Sequence, residues 1–133
     1  GAGMTYTQFV EMLAALEVAG VQRRFTAPPA QLSTADLPAQ WPRLPDGDSN
    51  IATFGGDMGL DSLRCEVAWA IEAVGQNTQP ANYARCLQLI DGVQAALAGM
   101  VGNVVDRWTL RLSADLVGQS AYWLLVASVE GSD

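Results

Sequence analysis

Apolar residues recur with the period of an α-helix near the start of the chain. In the stretch TYTQFVEMLAALEVAG, which begins at Thr5, the apolar positions lie three or four residues apart. Thr5 and Gln8 have the spacing of a capping box, and Gly20 supplies a stop signal at the C-terminal end. The segment therefore predicts an amphipathic helix, whose apolar side consists of Phe9, Met12, Leu13 and Leu16.

A second segment with helical spacing follows Pro80. Proline fits the first turn of a helix because an N–H would have no partner there. Gly99 lies near the end of the segment, where glycine commonly terminates a helix. The predicted apolar stripe consists of Tyr83, Leu87, Ile90, Val93 and Leu97.

Alternation of large apolar residues with charged residues and alanines predicts a long, half-buried strand over residues 63–73. Arg64, Glu66 and Glu72 occupy one face of this strand. The other face, which we expect to point at the helices, consists of Leu63, Cys65, Val67, Trp69, Ile71 and Ala73. A slip of one residue would bury the charged side chains, so the pattern fixes the orientation of the strand.

Two further strands are predicted near the end of the chain. Alternation returns over residues 107–114, and a turn at 117–120 leads into a last strand over 121–130. This last strand is apolar on both faces between Tyr122 and Val126. Such a pattern is typical of a central strand or of an interface.

The segment between the first helix and the long strand is rich in proline. VQRRF at residues 21–25 permits a short strand, but prolines at 28, 29, 38, 42 and 45 prevent a helix through most of residues 26–47. Any strand at 40–44 must lie at a sheet edge, because proline cannot donate a hydrogen bond within a sheet.

The order of these elements predicts a single α+β domain over residues 4–133. We expect a mostly antiparallel or mixed sheet with both α-helices packed on one face. Two helices cover only one side of a sheet, so the other face should be solvated or covered by a neighbouring chain. Gly1, Ala2 and Gly3 are expected to be the remnant of an expression tag.

Composition supports a globular chain and removes several classes of function. Half of the 133 residues are hydrophobic, 16% are charged, and the net charge is −7. All seven cations are arginines, which is too little positive charge to expect sequence-specific binding of nucleic acid. The chain has no histidine, which excludes Ser-His-Asp and Cys-His catalysis and histidine metal sites. We find no signal peptide and no apolar run of the ~20 residues that span a bilayer, and expect a soluble protein made in the cytoplasm.

An acidic, glycine-rich segment at residues 45–61 is the one candidate site for a cation. Asp46, Asp48, Asn50 and Asp57 have the spacing of the first, third, fifth and twelfth positions of an EF-hand loop. The match fails at the sixth position, where Ile51 replaces the expected glycine, and prolines replace the entering helix. We therefore predict a flexible loop, and keep a calcium-binding or small-ligand module as the alternative.

The remaining candidate residues have ordinary structural explanations. Glu66 and Glu72 share a strand face, but six residues separate them by roughly 20 Å, which exceeds the spacing of glycosidase carboxylates. We expect both to be solvated. Cys65 and Cys86 are predicted to be buried free thiols. Trp41 lies in the proline-rich edge segment and is the aromatic residue that we nominate for contact with a partner.

The ordered pattern as a whole resembles the tail terminator, or tail completion, proteins of long-tailed bacteriophages, lambda type. The resemblance lies in the opening helix TQFVEMLAALE, the alternating strand at 63–73, the second helix at 83–97 and the closing pair that ends AYWLLVASVE. The stretch at 35–39 leads into the edge strand as in that family. The resemblance is one of size, acidity and element order across nearly the whole chain. Other connector proteins of the phage neck share these properties and remain an alternative.

The resemblance implies a structural virion protein of the phage tail rather than an enzyme, without a cofactor. Subunits of that family assemble as a ring, commonly a hexamer, on the end of the tail tube. The ring stops tube polymerisation and presents a surface to the head, so the partners would be further copies, the tail tube protein and a head-completion protein. Genomic DNA would pass through without specific binding. A lumen that carries Asp46, Asp48, Asp57 and Asp61 would repel phosphate.

Overall fold

The computed structural model describes residues 4–45, 50–54, 60–75, 79–102 and 104–132. Two α-helices, six strands and one turn of 3₁₀-helix at Thr34–Asp36 occupy these ranges. In chain order the elements are α1 (Tyr6–Ala14), β1 (Arg23–Arg24), β2 (Ala39–Arg43), β3 (Ala52–Phe54), β4 (Leu60–Ala73), α2 (Tyr83–Ala98), β5 (Val105–Val117) and β6 (Ser120–Gly131).

The strands form one six-stranded sheet in the order β1-β2-β4-β6-β5. The short β3 pairs with the beginning of β4, on the side of β4 that β2 uses further along. All pairs are antiparallel except β1 with β2. The predicted α+β fold with a mixed sheet is therefore confirmed.

Both helices pack on one face of the sheet and form the main core with β4. The apolar face of β4 from Leu63 to Ile71 is buried there, as its alternation predicts. Helix residues Phe9 and Leu13 from α1, and Val93 and Leu97 from α2, complete this core. The predicted orientation of β4 is confirmed from Leu63 to Ile71. A register shift between Ala70 and Glu72 then places Glu72 opposite Trp123, on the helix side, so the prediction that Glu72 shares a face with Glu66 and that Ala73 faces the helices is wrong.

The opposite face of the sheet carries a second, smaller core. Its members come from β2, β4, the end of β5 and β6, and include Trp41, Ala68, Ala70, Leu124 and Val126. The chain covers them with its own segment at residues 25–37, where Phe25 and Leu32 pack on the cluster. The expectation that this face is left entirely to solvent or to a neighbour is therefore wrong.

The two cores explain why β6 is apolar on both faces. β6 lies between β4 and β5, so it is a central strand, as predicted. Leu125 and Val129 point into the main core, while Leu124 and Val126 point into the second.

The helix boundaries differ from the predicted ones in two places. The capping box of Thr5 and Gln8 is present, but α1 ends at Ala14, well before Gly20. Leu16 and Val18 nevertheless remain buried beyond the helix end, which explains why the apolar pattern continues there. At the start of α2, Asn82 is the N-cap and its side chain accepts from the N–H of Arg85 at 3.0 Å, so Pro80 precedes the helix.

The predicted apolar stripe of α2 is only partly right. Val93 and Leu97 are buried as expected, but Cys86 and Leu89 share the buried stripe with them. Tyr83 and Leu87, which the pattern assigned to the core, are exposed. The helix carries two adjacent apolar stripes, and the fold buries only one of them.

Candidate assembly surface

The acidic segment lies mostly outside the described residues. Asp46, Asp48 and Asp57 are not described, and of Asp61 only the backbone is, as part of β4. Asn50 is exposed. Residues 52–54, which we predicted to be part of a flexible loop, form β3 and pair with β4. Within the described ranges, no group of three acidic, histidine or cysteine side chains could hold a metal ion.

Trp41 is buried, and the prediction that it contacts a partner is wrong. Its side chain belongs to the second core and is only 3% exposed. Trp41 lines a small cavity together with Pro28 and Pro29. Pro28 and Pro29, from the segment that precedes β2, thus lie beside the indole ring.

Glu66 is the centre of a buried ionic cluster that sequence reasoning missed. The residue is 5% exposed, on the face of β4 opposite the helices. Its carboxylate accepts from Arg43 Nε at 2.8 Å, from Arg111 Nη1 at 3.1 Å and from Ser128 Oγ at 3.1 Å. Burial alone would raise the pKa of Glu66, but the bonds from Arg111 and Arg43 outweigh this effect and hold the pKa below its usual value. The expectation that Glu66 is solvated is therefore wrong.

Glu72 also has a specific role in the fold. Its carboxylate accepts from the backbone N–H of Ala81 and, at 3.4 Å, from that of Asn82. These groups lead into α2, so Glu72 fixes the start of that helix against β4. Neither carboxylate has an arrangement that points to acid–base chemistry.

A second ionic cluster lies one row along the same face. Glu130 pairs with Arg64 at 3.2 Å and with Arg107, and the hydrogen bond from Arg107 lowers the pKa of Glu130. Four of the seven arginines thus lie on this face, each against a carboxylate. Their charges are matched within the chain, which leaves the face without a strongly cationic patch.

Four of the seven large apolar side chains that are exposed among the described residues lie at the two edges of the sheet. Leu44, 58% exposed, follows β2, and Ile51 precedes β3 at the same edge. At the opposite edge, Leu112 and Leu116 project from β5, and Leu116 is 68% exposed. The others, namely Tyr83, Leu87 and Val101, lie on α2 or between α2 and β5.

The exposed apolar residues of α2 lie on the side of the helix that faces β5. Gln94 accepts from Trp108 Nε1 at 3.0 Å, which shows that the side of α2 carrying Gln94 faces β5. Tyr83, Leu87 and Ile90 lie on that same side, because they precede Gln94 by eleven, seven and four residues. On β5, the helix-side face continues past Trp108 and Leu110 to Leu112 and Leu116. We call Tyr83, Leu87, Leu112 and Leu116 the α2–β5 surface.

Both cysteines are free and buried, as predicted. Burial raises the pKa of the Cys65 thiol to about 11, and Cys65 lies against Tyr6, whose hydroxyl donates to the carbonyl of Arg64 at 2.5 Å. Such a thiol stays protonated at neutral pH and is a poor nucleophile.

A scan against models of known protein families gave no match, and a search of curated proteins found no significant similarity. In the part of the chain that is described, neither helix combines the length and the apolar character that crossing a bilayer requires.

Proposed function

We propose that the protein is a ring-forming structural subunit of the tail terminator type. Copies would assemble on the end of a phage tail tube, stop its polymerisation and provide the surface to which the head joins. The observation that carries the proposal is the position of the exposed apolar residues at both edges of one sheet. The resemblance in element order, acidity and size supports the same function.

The two sheet edges are different surfaces, and this difference favours a ring over a symmetric dimer. One edge is formed by β1, β2 and β3, and the other by β5. A contact between two unlike surfaces can be repeated from copy to copy, and it closes into a ring when the rotation between copies is suitable. A ring built in this way also has two different faces, so that one face can bind the tail and the other the head.

The charge of the chain fits the passage of DNA without binding. The net charge is −7, and the four arginines on the sheet face opposite the helices are paired with Glu66 and Glu130. A lumen with an excess of carboxylates repels the phosphates of DNA. Proteins that hold DNA do the opposite, because their lysines and arginines bind phosphates and release counterions. The proposed lumen residues are Asp46, Asp48, Asp57 and Asp61.

Electron microscopy of negatively stained particles tests this function directly. The purified protein is imaged alone and mixed with tail tubes assembled from the tube protein of the same phage genome. We expect rings with a central opening, and tubes that carry a ring at one end and cease to elongate. Tubes that elongate at an unchanged rate in a molar excess of the protein would refute the terminator function.

Two controls separate the alternatives. Calcium that binds only the native state must raise the melting temperature. The metal-binding module would be favoured if calcium raises the melting temperature of the wild type but not that of a variant in which the four proposed lumen aspartates are asparagine. Binding to isolated heads but not to tail tubes would favour another connector of the phage neck.

A further inference from the structure

Arg85 is a half-buried cation that makes no ion pair with the described part of the chain. Five of the seven arginines do form ion pairs, namely Arg23, Arg43, Arg64, Arg107 and Arg111. The chain has 14 acidic residues, so carboxylates are not scarce. The guanidinium of Arg85 instead donates through Nη2 to the backbone carbonyl of Leu37 at 3.0 Å. This neutral partner orients the guanidinium and leaves its charge unmatched.

The position of Arg85 in α2 also opposes the helix dipole. Arg85 lies in the first turn of α2, which contains no acidic residue. The N-terminal end of a helix carries partial positive charge, which favours anions and disfavours cations. The carboxylate of Glu72 lies at this end of α2, but it accepts from the N–H groups of Ala81 and Asn82. An anion bound to Arg85 would therefore be stabilised by the guanidinium and by the helix end together.

Arg85 lines a cavity of about 420 Å³ between α2 and the turn at residues 19–22. The wall of this cavity includes Gly20, Gln22, Pro38, Arg85, Gln88 and Leu89. The amide groups of Gln22 and Gln88 can donate hydrogen bonds to an anion beside the guanidinium. Pro38 and Leu89 are buried and provide apolar surface. Small-ligand sites commonly have volumes of ~300–1,000 Å³ and combine apolar walls with a few polar groups.

Backbone contacts hold the walls of the cavity in place. The bond from Arg85 to the carbonyl of Leu37 connects α2 to the segment before β2. One helical turn beyond Gln88, the chain before β1 packs closely on α2 at Gly92, where a Cβ would lie 3.3 Å from Cγ1 of Val18. A site whose walls are fixed before binding loses less conformational freedom when the ligand enters.

We propose that this cavity binds a carboxylate group, which Arg85 holds. A guanidinium presents parallel N–H donors that match the two oxygens of a carboxylate, and Arg85 uses only one donor in its bond to Leu37. A single arginine does not provide the several cationic contacts that hold the backbone of a nucleic acid. The carboxylate can belong to a small organic acid or to an acidic side chain of a partner protein. The inference does not rest on the proposed ring function.

An NMR titration of the isotope-labelled protein tests the site, at a concentration where the chain is monomeric. One probe is glutarate, a small organic acid, and the other is a tripeptide with blocked ends whose middle residue is glutamate. Sodium chloride keeps the ionic strength constant. We expect saturable shifts of the side-chain N–H signals of Arg85, Gln22 and Gln88, with a dissociation constant of about 10 mM or lower.

Two matched pairs of substitutions separate recognition from general electrostatics. Arg85→Gln removes the guanidinium, and Arg24→Gln removes the same charge from an exposed position outside the cavity. Gln88→Glu places a carboxylate three residues after Arg85, where it can pair with the guanidinium, and Ala95→Glu adds the same charge to an exposed position further along α2. Arg85→Gln and Gln88→Glu should each weaken binding about tenfold or more, whereas the two controls should bind like the wild type.

Circular dichroism melting checks that the variants fold, and it gives a second readout. Gln88→Glu should raise the melting temperature of the wild type, because it supplies the carboxylate that Arg85 lacks. The same substitution should have no such effect in the Arg85→Gln background. An equal effect in both backgrounds would show that the charge of Arg85 needs no partner and would overturn the proposal.

The results of the titration identify the source of the carboxylate or reject the site. Binding of glutarate alone would assign the cavity to a small acid, and binding of the peptide would show that the side chain of a partner reaches Arg85. The proposal fails if neither probe causes a saturable shift up to about 100 mM, ten times the expected dissociation constant. It also fails if Arg24→Gln weakens binding as much as Arg85→Gln, or if inorganic phosphate displaces glutarate at equal concentration. None of these results depends on whether the protein terminates tail tubes.

Discussion

The buried carboxylate of Glu66 should contribute more to folding stability than any other ion pair among the described residues. We consider Glu66→Gln, which keeps the shape of the side chain and removes its charge. The carboxylate receives close bonds from Arg43, Arg111 and Ser128. A glutamine keeps one acceptor oxygen, which can bond at most two of these groups, and its NH₂ opposes the donor that faced the other oxygen.

The magnitude depends on the number of bonds lost and on the access of their partners to water. A hydrogen bond to a charged group contributes about 1.5–3 kcal/mol, and the substitution weakens both bonds from arginine. The side chain of Arg43 is 16% exposed and that of Arg111 is 46% exposed, so Arg111 regains hydration and Arg43 regains less. We therefore expect a loss of about 2–3 kcal/mol, below the 3–5 kcal/mol typical when a fully buried pair is broken.

Glu130→Gln is the matched control on the same face. Glu130 also bridges two arginines, but Arg64 and Arg107 are 45% and 74% exposed. Pairs of this kind contribute less than about 1 kcal/mol. Urea unfolding followed by tryptophan fluorescence, at a concentration where the chain is monomeric, gives both values at pH 7.

The pH dependence provides an independent check. The pKa of Glu66 is lower in the folded state than in the unfolded chain, so its contribution is fully present above the unfolded pKa of about 4.5. The contribution is lost as the pH falls through the folded pKa, because the carboxylate then becomes protonated in both states. The difference between the wild type and Glu66→Gln should therefore shrink in acid. Equal losses for the two variants, or a difference that does not shrink on acidification, would refute the reasoning.

Three further predictions concern the cores. Trp69→Ala should cost about 3–5 kcal/mol of unfolding free energy in urea titrations, because Trp69 is fully buried in the main core; a loss below ~1 kcal/mol would contradict that placement. Gln40→Leu should lower the unfolding free energy by about 2–4 kcal/mol, because three buried groups would lose their hydrogen-bond partner. Gln40 accepts from Trp69 Nε1 at 2.8 Å and donates to the carbonyls of Ala14 and Leu16. A neutral effect would mean that water takes the place of the glutamine side chain. Cys65 should not react with a thiol reagent at pH 7.5 in the folded state, since its burial and raised pKa keep the thiolate rare, and it should react in urea. Rapid reaction of the native protein would show that this part of the core opens readily.

Local periodicity was sufficient to predict the main elements and the orientation of β4. Alternation over residues 63–71 fixes which side chains point inward, because a strand has only two faces. The register shift that reverses the faces of Glu72 and Ala73 has no signal in this pattern. The capping box at Thr5 and the central position of β6 were likewise readable, the first from residue identities and the second from apolar character on both faces.

Contacts between distant strands could not be predicted in this way. Glu66 is covered by Arg43 and Arg111, which are 23 and 45 residues away along the chain. Arg43 reaches it from the adjacent β2, and Arg111 from β5 on the far side of β6. The alternation places Glu66 on the polar face correctly but contains no information on what else lies there. Trp41 was misjudged for a similar reason, since the proline-rich segment that covers the second core is irregular and has no periodic signal.

The misassigned stripe of α2 indicates why a purely local pattern can carry functional information. Helical spacing alone supports Tyr83, Leu87 and Ile90 as well as Cys86, Leu89 and Val93, and the two stripes lie side by side on the helix. The fold buries Cys86, Leu89 and Val93, so packing within the monomer does not account for Tyr83 and Leu87. Scattered exposed apolar residues are common on protein surfaces, but these two lie on the side of α2 that faces β5, where Leu112 and Leu116 are also exposed. The proposed ring function would account for Tyr83 and Leu87, because a neighbouring copy of the chain would cover the side of α2 that packing within one chain leaves exposed.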